Sequence, residues 1–242
     1  MLRHTGQKRS FQHNMPLAIL LCLNAGFINA AGFLAFSVLT TNVTGHAALL
    51  AINIATKNLR STRMVGLWLF LFLGGAFLSG FYISKAGRNK PFAYTVPIVF
   101  IVLILLFVAI FGHNYNRRLA ETEYFAGSLL FAMGVQNAMV SLISGSVVRT
   151  THLTGMFTDL GIDLSEAAHS GRKLHPLLKR RILLRLAIII SFLSGGVLGS
   201  LLFLRIAFTS FFVPVCFLLL ALFYDYFRIK VTRAISRSAT FL

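Results

Sequence analysis

The residues best suited to hold a ligand in this chain are amides, hydroxyls and turn glycines, and they come in two matched sets. The first reads G-F-I-N-A from Gly26 and then T-T-N-V-T-G, ending at Gly45. The second reads G-V-Q-N-A from Gly134 and then T-T-H-L-T-G, ending at Gly155. Asn29 and Asn137 each follow a glycine by three positions, so each pair shares one face of a helix. A two-residue insertion in the second set then brings Thr151, Thr154 and Gly155 onto Thr41, Thr44 and Gly45.

A carboxamide inside a membrane span needs a hydrogen-bond partner. Two readings follow for Asn29, Asn137 and the neighbouring Gln136. They line a substrate site, or they tie helices together beside the small-residue pairs Gly26/Ala30 and Gly134/Ala138. The Thr-Gly turns also admit two readings. A half-helix opening at each turn would offer free N–H groups and a partial positive charge to an anion. Alternatively, each is a capped turn at the membrane surface, with Thr44 or Thr154 as N-cap. Asp159 and Asp163 follow the second turn and serve either as a coupling-ion or proton site or, with Glu166, as one solvated helix face. His46 and His152 lie beside the turns at non-equivalent positions.

Other chemistry finds little support. No His follows His175, H-E-x-x-H is absent and no zinc spacing occurs. No nucleophile–base pair is visible, so neither an enzyme nor a metal or cofactor site is expected. Cys22 and Cys216 both fall in apolar segments and read as small buried hydrophobes.

The elements that must position these residues are membrane helices. The chain of 242 residues is 57% hydrophobic, with only 12% charged and a mean hydropathy of +0.79. That is about half the usual charged share of a soluble domain. Apolar segments run near 17–40, 64–84, 92–112, 124–148, 182–204 and 207–227, against a bilayer requirement of about 20 residues. The first resembles a signal peptide in position but is longer than one, and it holds the first copy of a mid-chain motif, so it reads as a retained span.

The net charge of +17 would suit nucleic acid, but the basic residues sit between apolar segments. With the N-terminus inside, seventeen Lys and Arg fall on the cytoplasmic side and six on the other. The positive-inside rule accounts for that distribution, so no nucleic-acid partner is expected and both termini are cytoplasmic. Asp225 is expected to pair with Arg228. Arg172, Lys173, Lys179, Arg180 and Arg181 would meet anionic lipid head groups.

Further landmarks recur in order. Gly74-Gly75 matches Gly195-Gly196, and V-P-I-V-F from Val96 matches V-P-V-C-F from Val213. A unit of three spans leaves its successor upside down, so residues 15–112 and 124–228 read as inverted three-helix repeats. Between the first two spans of each unit lies a short helix, Gly45 to Ala55 and Gly155 to Leu164. The expected architecture is all-α: one transmembrane domain over 15–228 with six helices, a cytoplasmic tail over 1–14 and another over 229–242.

The G-x-x-N-A opening, the T-x-x-T-G close, the M-G-V-Q-N-A and T-T-H-L-T-G-M runs and the six spans together resemble the YoaK family of bacterial inner-membrane proteins. The resemblance covers about 17–227 and implies a polytopic inner-membrane protein of a family whose function is not defined. It also implies an Asp where this chain has Asn29 and an Asn where it has His46, so an ion or proton step carried by that Asp would be altered here. The reading is a transporter or channel for a small polar solute, an anion among the candidates, with a site between the repeats. A non-transporting assembly partner or homo-oligomer packed through its glycine faces is the alternative, with a membrane enzyme third.

Overall fold

A computed structural model describes residues 11–87, 90, 93–116, 118–144, 148–169 and 175–223. The C-terminal tail, most of the N-terminal tail, Arg172, Lys173, Asp225 and Arg228 lie outside the described residues. The described residues include the α-helices α1 Phe11–Phe36, α2 Val43–Ala55, α3 Leu59–Ala86, α4 Thr95–Phe111, α5 Leu119–Ser144, α6 Leu153–His169 and α7 Pro176–Ile206. A 3-10 turn, Ala207–Phe211, follows α7, and helix resumes over 212–223. No strand occurs among the described residues, as expected where lipid leaves backbone groups no other partner.

Among the described residues, five stretches are long and apolar enough to cross a membrane. The last, Pro176–Phe223, has 48 residues. As one straight helix it would span about 72 Å, far more than a bilayer core of about 30 Å. It is broken instead at Ala207, which takes φ 46°, a left-handed value uncommon for a residue with a side chain. Helix α1 stops at Phe36, four residues short of the apolar run, because Ser37 reverses the chain with φ 57°. The outer face of α3 carries the exposed Phe70, Leu73, Phe77 and Phe81, a surface that suits lipid rather than water.

Two close crossings organise the bundle. On α1, a Cβ added to Gly26 would collide with the carbonyl of Phe192, and one on Gly195 of α7 with the carbonyl of Leu23. On α5, a Cβ on Gly134 would collide with the carbonyl of Phe72, and one on Gly75 of α3 with the carbonyl of Phe131. Each crossing is reciprocal, with a glycine on either helix facing the carbonyl three residues before the other glycine. Hence Gly75 corresponds to Gly195, and the match of Gly74-Gly75 to Gly195-Gly196 is shifted by one residue. Gly74 has open space where a side chain would go. Glycine patterning cannot distinguish neighbours on one helix; only the facing carbonyl does.

The two ends of the bundle differ. Where α1 ends and α5 begins, Phe36 stacks on Phe125 at 5.8 Å and meets Tyr115 edge-on at 5.0 Å. Phe208 joins them from the 3-10 turn, 5.7 Å from Phe36, its ring filling the space left by Gly112. His113 Nε2 bonds Thr209 Oγ1 at 3.2 Å across the same end. At the opposite end, where α5 finishes and α7 starts, polar and charged groups replace this aromatic closure.

Candidate functional site

The first turn folds back into the protein. Val38, Thr40 and Thr41 are buried, and Thr40 packs its methyl against Gly32. Asn29 Oδ1 accepts the Thr41 N–H at 3.1 Å, fastening the turn to α1. His46 is buried: its Nε2 donates to the Leu39 carbonyl at 2.9 Å, and its ring lies edge-on to Trp68 at 5.4 Å.

Helix α2 opens at this turn as expected, but its cap is Asn42, not Thr44. The Asn42 Oδ1 accepts the Gly45 N–H at 2.9 Å. A Cβ at Gly45 would press on the end of the Asn42 side chain and disturb that cap. A β-hydroxyl at Thr44 already lies inside the helix and is exposed, too late in the chain to cap it.

The second turn has the same plan with different fastenings. Val148 and Thr150 are buried in the positions of Val38 and Thr40, and α6 opens at Leu153. His152 therefore takes the place of Asn42, and its ring covers Gly155 as the Asn42 side chain covers Gly45. Thr154, like Thr44, is exposed and lies within the first turn, so it is not the cap. Thr151 is half-buried, and Asn137 Oδ1 is buried without a hydrogen-bond partner among the described residues. The latch between Asn29 and Thr41 thus has no counterpart at Asn137.

Gln136 has a different role from Asn137. It is fully buried, takes a hydrogen bond from Asn24 Nδ2 at 2.7 Å and donates through Nε2 to the Leu21 carbonyl at 2.9 Å. That bridge ties α5 to α1 in the core. Asn24 had no repeat partner to draw attention to it, since Ala132 stands three residues before Val135 in the second copy. An amide in an apolar run was the available signal.

The acids after the second turn form an ion-pair joint between α6 and α7. Asp163 is almost wholly buried, with Arg185 Nη1 on its Oδ2 and Arg181 Nη2 at 3.3 Å from Oδ1. Arg185 also reaches Asp159 Oδ2 at 3.4 Å and donates to the Asp159 carbonyl at 2.9 Å. Arg181 pairs with Glu166 at 2.6 Å. Asp163 is therefore not part of a solvated face. Cys22 is buried as expected, whereas Cys216 is exposed on the outer surface.

Beside this joint lies a cavity of about 610 Å3, lined by Arg149, His152, Gly155, Met156, Asp159, Arg181, Leu184, Arg185 and Ile188. Of the predicted site residues it gathers only Gly155 and Asp159, beside three arginines; Gln136, Asn137, Thr151, Thr154 and Asp163 are not part of its lining. Asn29, Thr41, Thr44 and Gly45 belong to the other turn and do not line it.

The chain belongs to a family of proteins of unknown function, DUF1275, whose model matches residues 17–224. Within that class it is similar to the UPF0700 transmembrane protein YoaK of Bacillus subtilis (strain 168), with 26% identity over 188 residues, 76% of this chain and 82% of the relative. No solved structure matches it. The relative's membrane character and the apolar helices agree: this is a multi-pass membrane protein.

Proposed function

We propose that the protein is an inner-membrane transporter for a small polar, anionic solute, working by alternating access rather than by catalysis. In this reading it crosses the membrane six times, with both termini cytoplasmic and the last crossing beginning after the Ala207 break. The pair of reciprocal glycine crossings carries the proposal. Each joins the first span of one sequence half to the second span of the other, α1 with α7 and α5 with α3. A pseudo-two-fold axis in the membrane plane would carry one crossing onto the other, and inverted repeats of this kind are a common transporter plan.

The moving bodies are then the interleaved pairs α1–α7 and α3–α5, touching through the bridge from Asn24 to Gln136. The unequal ends support one resting state: aromatic closure on the outer side, the cavity open toward the cytoplasm. Asn137, Thr151, Thr154 and Gly155 belong to the open turn, and Asn29, Thr41, Thr44 and Gly45 to the latched one. A cation reaching Asp163 would have to displace two guanidinium groups. Asp159 and Asp163 therefore act by coupling solute entry to the α6–α7 joint.

Single cysteines replacing Phe36 and Met156, in a chain with Cys22→Ala and Cys216→Ser, test this in proteoliposomes. A membrane-impermeant thiol reagent should reach Met156→Cys from one face rapidly and Phe36→Cys from the other face slowly. If neither reacts, or both react from the same face, alternating access is rejected and a static assembly role remains.

A further inference from the structure

We propose that the cavity at the start of α6 is a binding site for a single oxyanion group, a phosphate or a carboxylate. The inference deepens the transport reading and rests on it for purpose, though binding can be measured without transport. Three guanidinium groups from two elements line the cavity: Arg149 from the loop before α6, and Arg181 and Arg185 from α7. Among the described residues one carboxylate, Asp159, lines it with them, and that group lies against Arg185. Asp163 occupies Arg185 and one side of Arg181 from behind, which fixes both side chains in place. Arg181 remains half exposed, and its guanidinium carries donors beyond those given to Asp163 and Glu166. Arg149 has no carboxylate partner among the described residues and is exposed to the cavity.

The contrast with the other turn adds an independent argument. At α2 the Asn42 side chain accepts the Gly45 N–H, so that helix start is already satisfied from within the chain. At α6 no side chain among the described residues accepts the Gly155 N–H, and Gly155 itself lines the cavity. An oxyanion placed between Arg149, Arg181 and the first turn of α6 would take charge-assisted bonds from the arginines and fill the missing cap. A cation would face three guanidinium groups and a helix N-terminus, both repulsive.

A phosphate group could arrive free or on an anionic lipid, and the two sources are separable. The full chain in detergent is titrated with inorganic phosphate, and in nanodiscs phosphatidylglycerol is compared with phosphatidylethanolamine. Saturable phosphate binding, weakened roughly tenfold or more by Arg149→Gln, identifies a free oxyanion. Preference for phosphatidylglycerol alone, lost in the same variant, identifies a lipid phosphate at the same site. His152→Asn should weaken either ligand, because it installs the cap that α2 already has, and the added cap should hold or raise the thermal midpoint, so the loss of binding is not a loss of fold. Arg205→Gln, exposed at the far end of α7 and outside the cavity lining, should change neither. Absence of binding in both arms, or binding that Arg149→Gln leaves intact, overturns the site. Binding without the thiol-labelling pattern described above would keep the site and remove the transporter.

Discussion

Asn29 and Asn137 are the same residue in the same motif, yet only one is satisfied. Asn29 fastens the Thr41 N–H, while the Asn137 oxygen has no partner among the described residues. Replacing Asn29 by Leu leaves a buried N–H unpaired and should cost about 1–3 kcal/mol. Asn29→Asp keeps the acceptor and should preserve the turn; hydrogen exchange at 38–42 reads both. Equal protection in Asn29→Leu and the parent would remove the latch from the argument. For Asn24 and Gln136, a double-mutant cycle with Leu at both positions should give a coupling of about 0.6–1.7 kcal/mol. A coupling near zero in reversible unfolding would mean that the bridge contributes nothing to holding α1 on α5.

The element scale supplies the sharpest contrast, because two adjacent glycines on α3 face different surroundings. Gly75→Ala places a methyl group against the Phe131 carbonyl and should lower stability by about 2 kcal/mol or more, as overpacking does. Gly74→Ala meets open space and should be neutral or slightly stabilising, since alanine favours the helix. Thermal midpoints of the two purified variants decide the register of the crossing directly. The α6–α7 joint makes a second test. Arg185→Ala strips Asp163 of its closest partner and leaves the buried carboxylate to Arg181 alone, an expected loss somewhat below the about 3–5 kcal/mol of a fully broken buried pair. Adding Asp163→Asn should recover much of that loss.

Across the whole molecule, hydropathy made the helices legible, and the repeated motif located both turns and the short helices behind them. Register was not legible: small residues mark a face, whereas the facing carbonyl belongs to a helix far away in sequence. Capping was misread for a similar reason. Thr44 and Thr154 are good cap residues by type, but Ser37 reverses the chain early and moves the first helix start back to Asn42. The joint at Asp163 was hidden because its arginines read as part of a positive-inside cluster. The sidedness inferred from that cluster has its own test. A cysteine replacing His175 should react from the cytoplasmic face and one replacing Asn116 from the opposite face.

The reciprocal crossings also bear on biosynthesis. Helix α1 leaves the ribosome first, but the backbone that fits its glycine face belongs to α7, almost the whole chain later. Until α7 is inserted, the groove at Gly26 is filled only by lipid, and every intermediate carries an unmatched helix face. Contacts so distant in sequence form slowly. A chain truncated before Pro176 should therefore insert but fail to pack, and be cleared by membrane proteases faster than one truncated after 223.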